Sequence, residues 1–238
     1  MFKRALLLAL LALAGDWKPA LAFEGFEADR PFTSMTSQTL EQGIYQLEQG
    51  ARFDAGAASA VTFPSLHRLG LGSDVELMLE SPLVSISGGQ ARMADLSIGA
   101  KWRFVEGDEG LPAMGLMAQA AMAESGQVLP RLTWAVDATL PGALKLETNV
   151  GASWQEDATA WLHYSAALAW SLTDRLKLCA EAAGEGSTAA ATPRVGVDGG
   201  LAWLLEPSTQ FDMLLYKGMT PQAADWSASI GLSRRWGT

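Results

Sequence analysis

The chain is short of the residues that build compact catalytic or metal sites. It has one cysteine, Cys179, so no internal disulfide can hold the fold in an oxidising compartment. It has two histidines, His67 and His163, far apart in sequence. With a single cysteine they form no ligand cluster, so neither a metal nor another cofactor is implied. No glycine-rich phosphate loop is present. Basic residues are also scarce: 17 Lys and Arg stand against 26 Asp and Glu, a net charge of −9. That balance excludes nucleic acid as a natural partner. After Ala14, no apolar run approaches the roughly 20 residues that a spanning helix needs.

What is present begins with an export leader over residues 1–22. Lys3 and Arg4 give a positive start, and Ala5 to Ala14 is an unbroken apolar core. Ala20-Leu21-Ala22 is a small-x-small cleavage site, which places the cut between Ala22 and Phe23. Loss of the leader removes Lys3, Arg4, Lys18 and Asp16, so the exported chain is more acidic still. The remaining length suits one all-β domain.

The dominant pattern after the leader is alternation. Between Asp95 and Phe104, Leu96, Ile98, Ala100, Trp102 and Phe104 share one parity; Asp95, Ser97, Gly99, Lys101 and Arg103 share the other. A strand points successive side chains to opposite faces, so this segment has one oily face and one wet face. The pattern recurs at 74–80, 131–140, 144–155, 161–172 and 225–236. It is less regular near 42–53, 58–69, 113–124, 176–185, 194–205 and 210–217. That makes twelve strands. Tight turns are expected at 70–73, 107–110, 141–142, 173–175 and 206–209. Longer loops are expected at 54–57, 81–92, 124–130, 156–160, 184–193 and 218–224. Short turns on one side and long loops on the other suit an antiparallel up-and-down transmembrane β-barrel over residues 39–238, with both termini in the periplasm.

Tryptophan supports the same architecture. Of nine tryptophans, Trp17 falls in the leader. Trp102, Trp170, Trp203 and Trp236 are expected at the periplasmic ends of strands. Trp134, Trp154, Trp161 and Trp226 are expected toward the outer ends. Two aromatic girdles around an apolar band mark a membrane barrel. All but Trp161 also carry outward parity. Lys217 and Arg234 point outward near strand ends, where they can reach lipid head groups or lipopolysaccharide of the outer membrane.

The inward parity collects charge: Asp74, Glu76, Asp95, Lys101, Arg103, Arg131, Asp137, Lys145, Glu147, Lys177, Glu181, Arg194, Asp198 and Asp212, with His163 among them. One reading is a wall of cross-strand ion pairs with bound water. The other is a permeation path whose charges set selectivity. Small inward residues such as Gly99, Gly151, Ser165, Ala167, Ala169 and Gly200 leave space, and twelve strands exceed the roughly eight whose interior side chains just fill a barrel. Residues 23–38 either hang in the periplasm or enter the lumen.

Several ordered segments resemble a known family. They include Asp29-Arg30-Pro31, Leu40-Glu41-Gln42-Gly43, His67-Arg68-Leu69-Gly70-Leu71 leading to Asp74-Val75-Glu76-Leu77, and Ala94-Asp95-Leu96-Ser97-Ile98-Gly99-Ala100-Lys101. Asn149-Val150-Gly151, Ser171-Leu172-Thr173-Asp174-Arg175 and Val197-Asp198-Gly199-Gly200-Leu201 follow. The chain resembles the outer-membrane proteins of the phenol meta-cleavage-pathway transporter family. The resemblance implies an outer-membrane barrel that takes up small hydrophobic or aromatic molecules; it carries over no binding residues.

The expected function is therefore an outer-membrane channel for a small-molecule substrate. The main alternative is a structural or adhesive barrel with a closed lumen. A lipid-modifying enzyme is a third reading, because Ser65 and His67 lie two residues apart, as a nucleophile and its base could.

Overall fold

The computed structural model describes residues 26–237 apart from 57–58, 89, 93–95, 109, 124–125, 156, 158 and 190–191. The leader, the Ala22–Phe23 junction and Asp95 lie outside the described residues. Thirteen strands follow in order: β1 (Tyr45–Ala55), β2 (Ala60–Gly70), β3 (Val75–Ser87), β4 (Gln90–Arg92), β5 (Leu96–Val105), β6 (Ala113–Met122), β7 (Val128–Leu140), β8 (Leu144–Trp154), β9 (Ala160–Thr173), β10 (Leu176–Ser187), β11 (Arg194–Glu206), β12 (Thr209–Gly218) and β13 (Trp226–Trp236).

Each strand pairs antiparallel with its chain neighbour, and β1 closes on β13 in continuous register from Tyr45↔Trp236 to Ala55↔Trp226. The strands β4 and β5 both pair with β3, at Ser85↔Arg92 and Val75↔Trp102. They are two pieces of one stave, so the barrel has twelve staves. A sheet in hydrocarbon can leave no edge groups unpaired, and closure meets that demand.

The strand ends differ from the sequence expectation at three places. Residues 81–92 were expected to be a loop. Instead β3 runs on to Ser87, turns at Gly88 with φ of 58°, and returns through β4. The strand β10 likewise extends to Ser187. The strand β7 starts at Val128, where it pairs with Met122 of β6. In each case ladder pairing carries a strand past the point where its apolar alternation fades.

The two barrel ends are distinct. At one end, called the turn end, connections lie at 71–74, 106–112, 141–143, 174–175 and 207–208, and β1 begins beside the last residue of β13. The other is the loop end, with connections at 56–59, 123–127, 155–159, 188–193 and 219–225.

The faces follow the pleat. On β5, Leu96, Ile98, Trp102 and Phe104 are exposed on the outer surface, and Ile98 is 61% exposed. Lys101 between them is fully buried inside. The outward tryptophans are exposed. Trp102, Trp170, Trp203 and Trp236 stand toward the turn end, opposite Val75, Leu144, Leu176 and Tyr45. Trp154 and Trp226 are the terminal residues of their strands at the loop end. Trp134 is different. It faces outward but stands mid-strand, opposite Val150, because β7 begins three residues earlier than its alternation suggests.

This arrangement makes Ile98→Arg costly, by roughly 2–4 kcal/mol if the position lies near the bilayer midplane. Ser97→Arg, one residue away on the inner face, should be mild. Denaturant unfolding of refolded protein, read by heat-modifiable migration, compares the two. Equal effects would contradict the assignment of faces.

Candidate functional site

The interior of the barrel is not empty. Residues 26–43 fold back into the turn-end half of the lumen and form a plug. Their backbone has no ladder of its own, so its N–H groups must find acceptors elsewhere. Barrel side chains supply them. Glu48 accepts from the N–H of Asp29 at 3.2 Å and of Arg30 at 2.9 Å. Glu181 accepts from the N–H of Thr33 and of Ser34, both at 2.7 Å, and from the Ser34 hydroxyl. Asn149 clamps Met35 from both sides: its Oδ1 accepts from Met35 N–H at 2.7 Å, and its Nδ2 donates to Met35 O at 2.9 Å. Asp137 accepts from Ser37 N–H at 2.9 Å and from the hydroxyls of Thr36 and Ser37. Glu76 accepts from Leu40 N–H at 2.9 Å.

The carboxylates would repel one another without cations between them. Arg68 is completely buried and donates to Glu76 at 2.9 and 3.0 Å, to Glu48 at 3.2 Å, and to the backbone oxygens of Glu27 and Gln38 at 3.1 Å each. Lys101, also fully buried, reaches Asp29 at 3.1 Å and Glu76 at 3.3 Å. Lys145 reaches Glu27 and Glu147 at 3.3 Å each and Asp137 at 3.8 Å, and Lys177 stands 3.9 Å from Glu27. From the plug side, Arg30 binds Asp212 at 2.9 Å. It fits because Gly50 and Gly231 face it: a β-carbon at Gly231 would sit 2.2 Å from Arg30 Nε.

Glu27 belongs to the plug, and its acidity reports this setting. Burial alone would raise its pKa, but Lys145, Lys177 and Arg68 outweigh that and hold it down to about 2. Within the plug, Met35 packs on a small apolar cluster of wall residues, Leu66, Met78, Met117 and Ala135.

Of the residues expected to line the lumen, Glu76, Lys101, Asp137, Glu147, Glu181 and Asp212 are buried in this layer, with Lys145 and Lys177 partly buried beside them. Asp198 faces inward opposite Glu181. Asp74 does not line the lumen. It lies in the turn before β3, at the rim, where it pairs with Arg103 at 2.9 Å. His163, Arg131 and Arg194 lie above the plug, toward the loop end, and line a cavity of 360 Å³. A second cavity of 430 Å³ adjoins it and shares Thr33, Met35, Arg52 and Arg131. The space that the small inward residues leave at the turn end is taken by the plug: Ala167 is fully buried, and Ser165 Oγ accepts from the Ser34 hydroxyl at 2.7 Å.

Arg68, Glu48, Asn149, Asp29 and Arg30, which hold the plug, are not among the lumen residues that the sequence pattern singles out. Arg68 and Glu48 sit on β2 and β1, whose alternation is weak; β2 also carries a register shift between Thr62 and Pro64. The available signal was inward parity of a charged residue on each strand. Ser65 and His67 do meet, with Oγ and Nε2 3.1 Å apart, and His67 Nδ1 is 2.7 Å from the Tyr45 hydroxyl. His67 and Tyr45 lie on the outer face near the turn-end tryptophans, and Ser65 beneath is 1% exposed.

Solved structures with this fold include outer-membrane channels and porins. An outer-membrane channel from Pseudomonas putida F1 aligns with a TM-score of 0.63 at 11% identity, over 87% of this chain and all of that one. The KdgM porin in complex with disordered oligogalacturonate aligns at 0.60 and 8% identity, over 80% and 99% of the two chains. The NanC porin aligns at 0.58 and 10% identity, over 80% and 98%. No curated protein sequence matches the chain. The sequence profile of the family described as MetA-pathway of phenol degradation matches residues 28–236, from the plug to the last strand, and the chain belongs to that family.

Proposed function

We propose that the protein is an outer-membrane channel for small molecules, held closed in this conformation by its own N-terminal segment. The carrying observation is the plug itself. A barrel of twelve staves encloses more space than its side chains fill. Here the surplus is occupied by a chain segment held through side-chain acceptors, with the wall already complete without it. Such a segment can leave without breaking the wall. On this reading the turn end faces the periplasm, the loop end faces outward, and the exposed tryptophans meet the two membrane interfaces. The inward charges serve first to grip the plug and then, once it moves, to line the path.

A channel is favoured over an enzyme by the same geometry. Ser65 is hydrogen-bonded to His67 but covered, so it offers no nucleophile to a lipid ester. The alternative of a permanently closed barrel draws on one observation, the depth of polar satisfaction around Arg68. A locking experiment decides between them.

Ser34 and Ser165 are hydroxyl neighbours across the plug–wall boundary. With Cys179 replaced by Ala, the pair Ser34→Cys and Ser165→Cys should cross-link on oxidation. Single-channel recordings in planar bilayers should show little conductance when oxidised and clear openings after reduction. Silence in both states would favour the closed barrel, and equal conductance in both would show that the plug is not the gate.

Acid should loosen the plug. The Glu27 pKa is lowered in the closed state, so its stabilising effect is complete above the ordinary value of 4.5 and is lost as pH falls toward about 2. Open probability should therefore rise between pH 4.5 and 2. Glu27→Gln should raise opening at pH 7 and remove part of that rise; an unchanged pH profile would exclude Glu27 as a contributor.

A further inference from the structure

The 360 Å³ cavity above the plug has the size of a small-molecule site. Its charges are unbalanced. Three guanidinium groups border it, from Arg52, Arg131 and Arg194, against one carboxylate, Glu185; the carboxylates of Asp29, Glu48, Asp54 and Glu80 line the adjoining cavity instead. Arg194 is paired with Glu185 at 2.9 Å, and Arg52 with Asp54 at 2.8 Å. Arg131 has no ion pair among the described residues, and it borders both cavities. A guanidinium in a cleft without a carboxylate partner is a preformed fork for an anion, and it matches a carboxylate in two parallel hydrogen bonds.

The walls beside Arg131 are built rather than incidental. His163 lies flat against Gly151, where a β-carbon would sit 2.1 Å from its Nε2, and Tyr216 lies against Gly196 at the same 2.1 Å. Side chains at either glycine would push these rings into the cavity and fill it. Arg52 covers the Tyr216 ring at 5.5 Å, which fixes it further. His163 Nε2 is 2.8 Å from Thr133 Oγ1, while its buried Nδ1 has no hydrogen-bond partner among the described residues. Met35 of the plug contributes to the lining. The cavity thus offers a cationic fork, an aromatic edge and an apolar thioether.

We propose that this cavity is a binding subsite for a small carboxylate borne on a planar apolar ring, with Arg131 gripping the carboxylate and the ring packing on Met35 beside the edge of Tyr216. The proposal takes the channel reading as its setting and names the solute class. It makes the outer half of the lumen a capture site for anions that neutral phenols or alcohols of the same shape do not share.

Isothermal titration of the full chain in detergent, at fixed ionic strength, tests this with benzoate, acetate and benzyl alcohol. Benzoate should bind at one site. Acetate, lacking the ring, and benzyl alcohol, lacking the charge, should each bind at least about tenfold more weakly. Arg131→Gln should weaken benzoate by a similar factor, and Arg131→Lys should recover part of it. Heat-modifiable migration checks that both variants fold; if Arg131→Gln does not, the three solutes on the unaltered chain decide. Equal affinity for acetate and benzoate, or for benzyl alcohol and benzoate, would overturn the proposal, as would full benzoate binding by a folded Arg131→Gln. Benzoate binding without any solute flux would sink the channel reading and leave the subsite standing. Flux without benzoate binding would do the reverse.

Discussion

A guanidinium taken out of water has five N–H groups to satisfy and a charge to offset. In Arg68 both demands are met by groups from three separate parts of the chain. Glu76 comes from β3, Glu48 from β1, and the backbone oxygens of Glu27 and Gln38 from the two ends of the plug. The plug therefore completes the solvation of a wall residue. Without it, Arg68 would lie between Glu48 and Glu76 at the edge of a water-filled lumen, with water in place of the Glu27 and Gln38 oxygens. With it, the same arginine ties the start and finish of the plug to adjacent staves. Lys101 repeats the arrangement one layer over, bridging Asp29 and Glu76.

This explains why the inner wall is acidic where the plug sits. A segment without secondary structure presents N–H groups at irregular spacing, and a carboxylate is the side chain best able to take two of them at once. Glu48 and Glu181 each take a consecutive pair, Asp29–Arg30 and Thr33–Ser34. Hydrogen bonds to a charged acceptor contribute about 1.5–3 kcal/mol each, more than neutral ones. The cations that offset these acids are then a requirement of the acids, rather than an independent feature. A wall read only as alternating ion pairs misses this order of cause.

The barrel was legible because its determinant is periodic. Leu96, Ile98 and Trp102 declare a face by their spacing alone, and the structure puts them outside with Lys101 within. The strand ends were less legible because pairing, not side-chain pattern, extends β3 and β7; Trp134 stands mid-strand for that reason. The plug was illegible for a deeper reason. Contacts such as Arg30 with Asp212 or Ser34 with Glu181 join positions far apart in sequence. Nothing in the local spacing of Asp29-Arg30-Pro31 announces a distant acceptor. The charged residues of β5, β8 and β10 were correctly turned inward, but what they touch is set by a segment with no period at all.

The two halves of the lumen consequently differ in kind. At the turn end, plug amides and wall carboxylates satisfy one another and leave little space. At the loop end, Arg131, His163 and Tyr216 border open cavities whose lining includes Thr33 and Met35 of the plug. Each plug bond also has a wet alternative, since a released amide and a released carboxylate can both be hydrated. The closed state is therefore deep because its bonds are many, and reversible because none of them leaves an unsatisfied group behind when water replaces it. A solute held above the plug touches the same residues, Thr33 and Met35, that Glu181 and Asn149 hold from the wall. Any solute that binds better when those two residues move must pull against the same carboxylate and amide that keep the lumen shut.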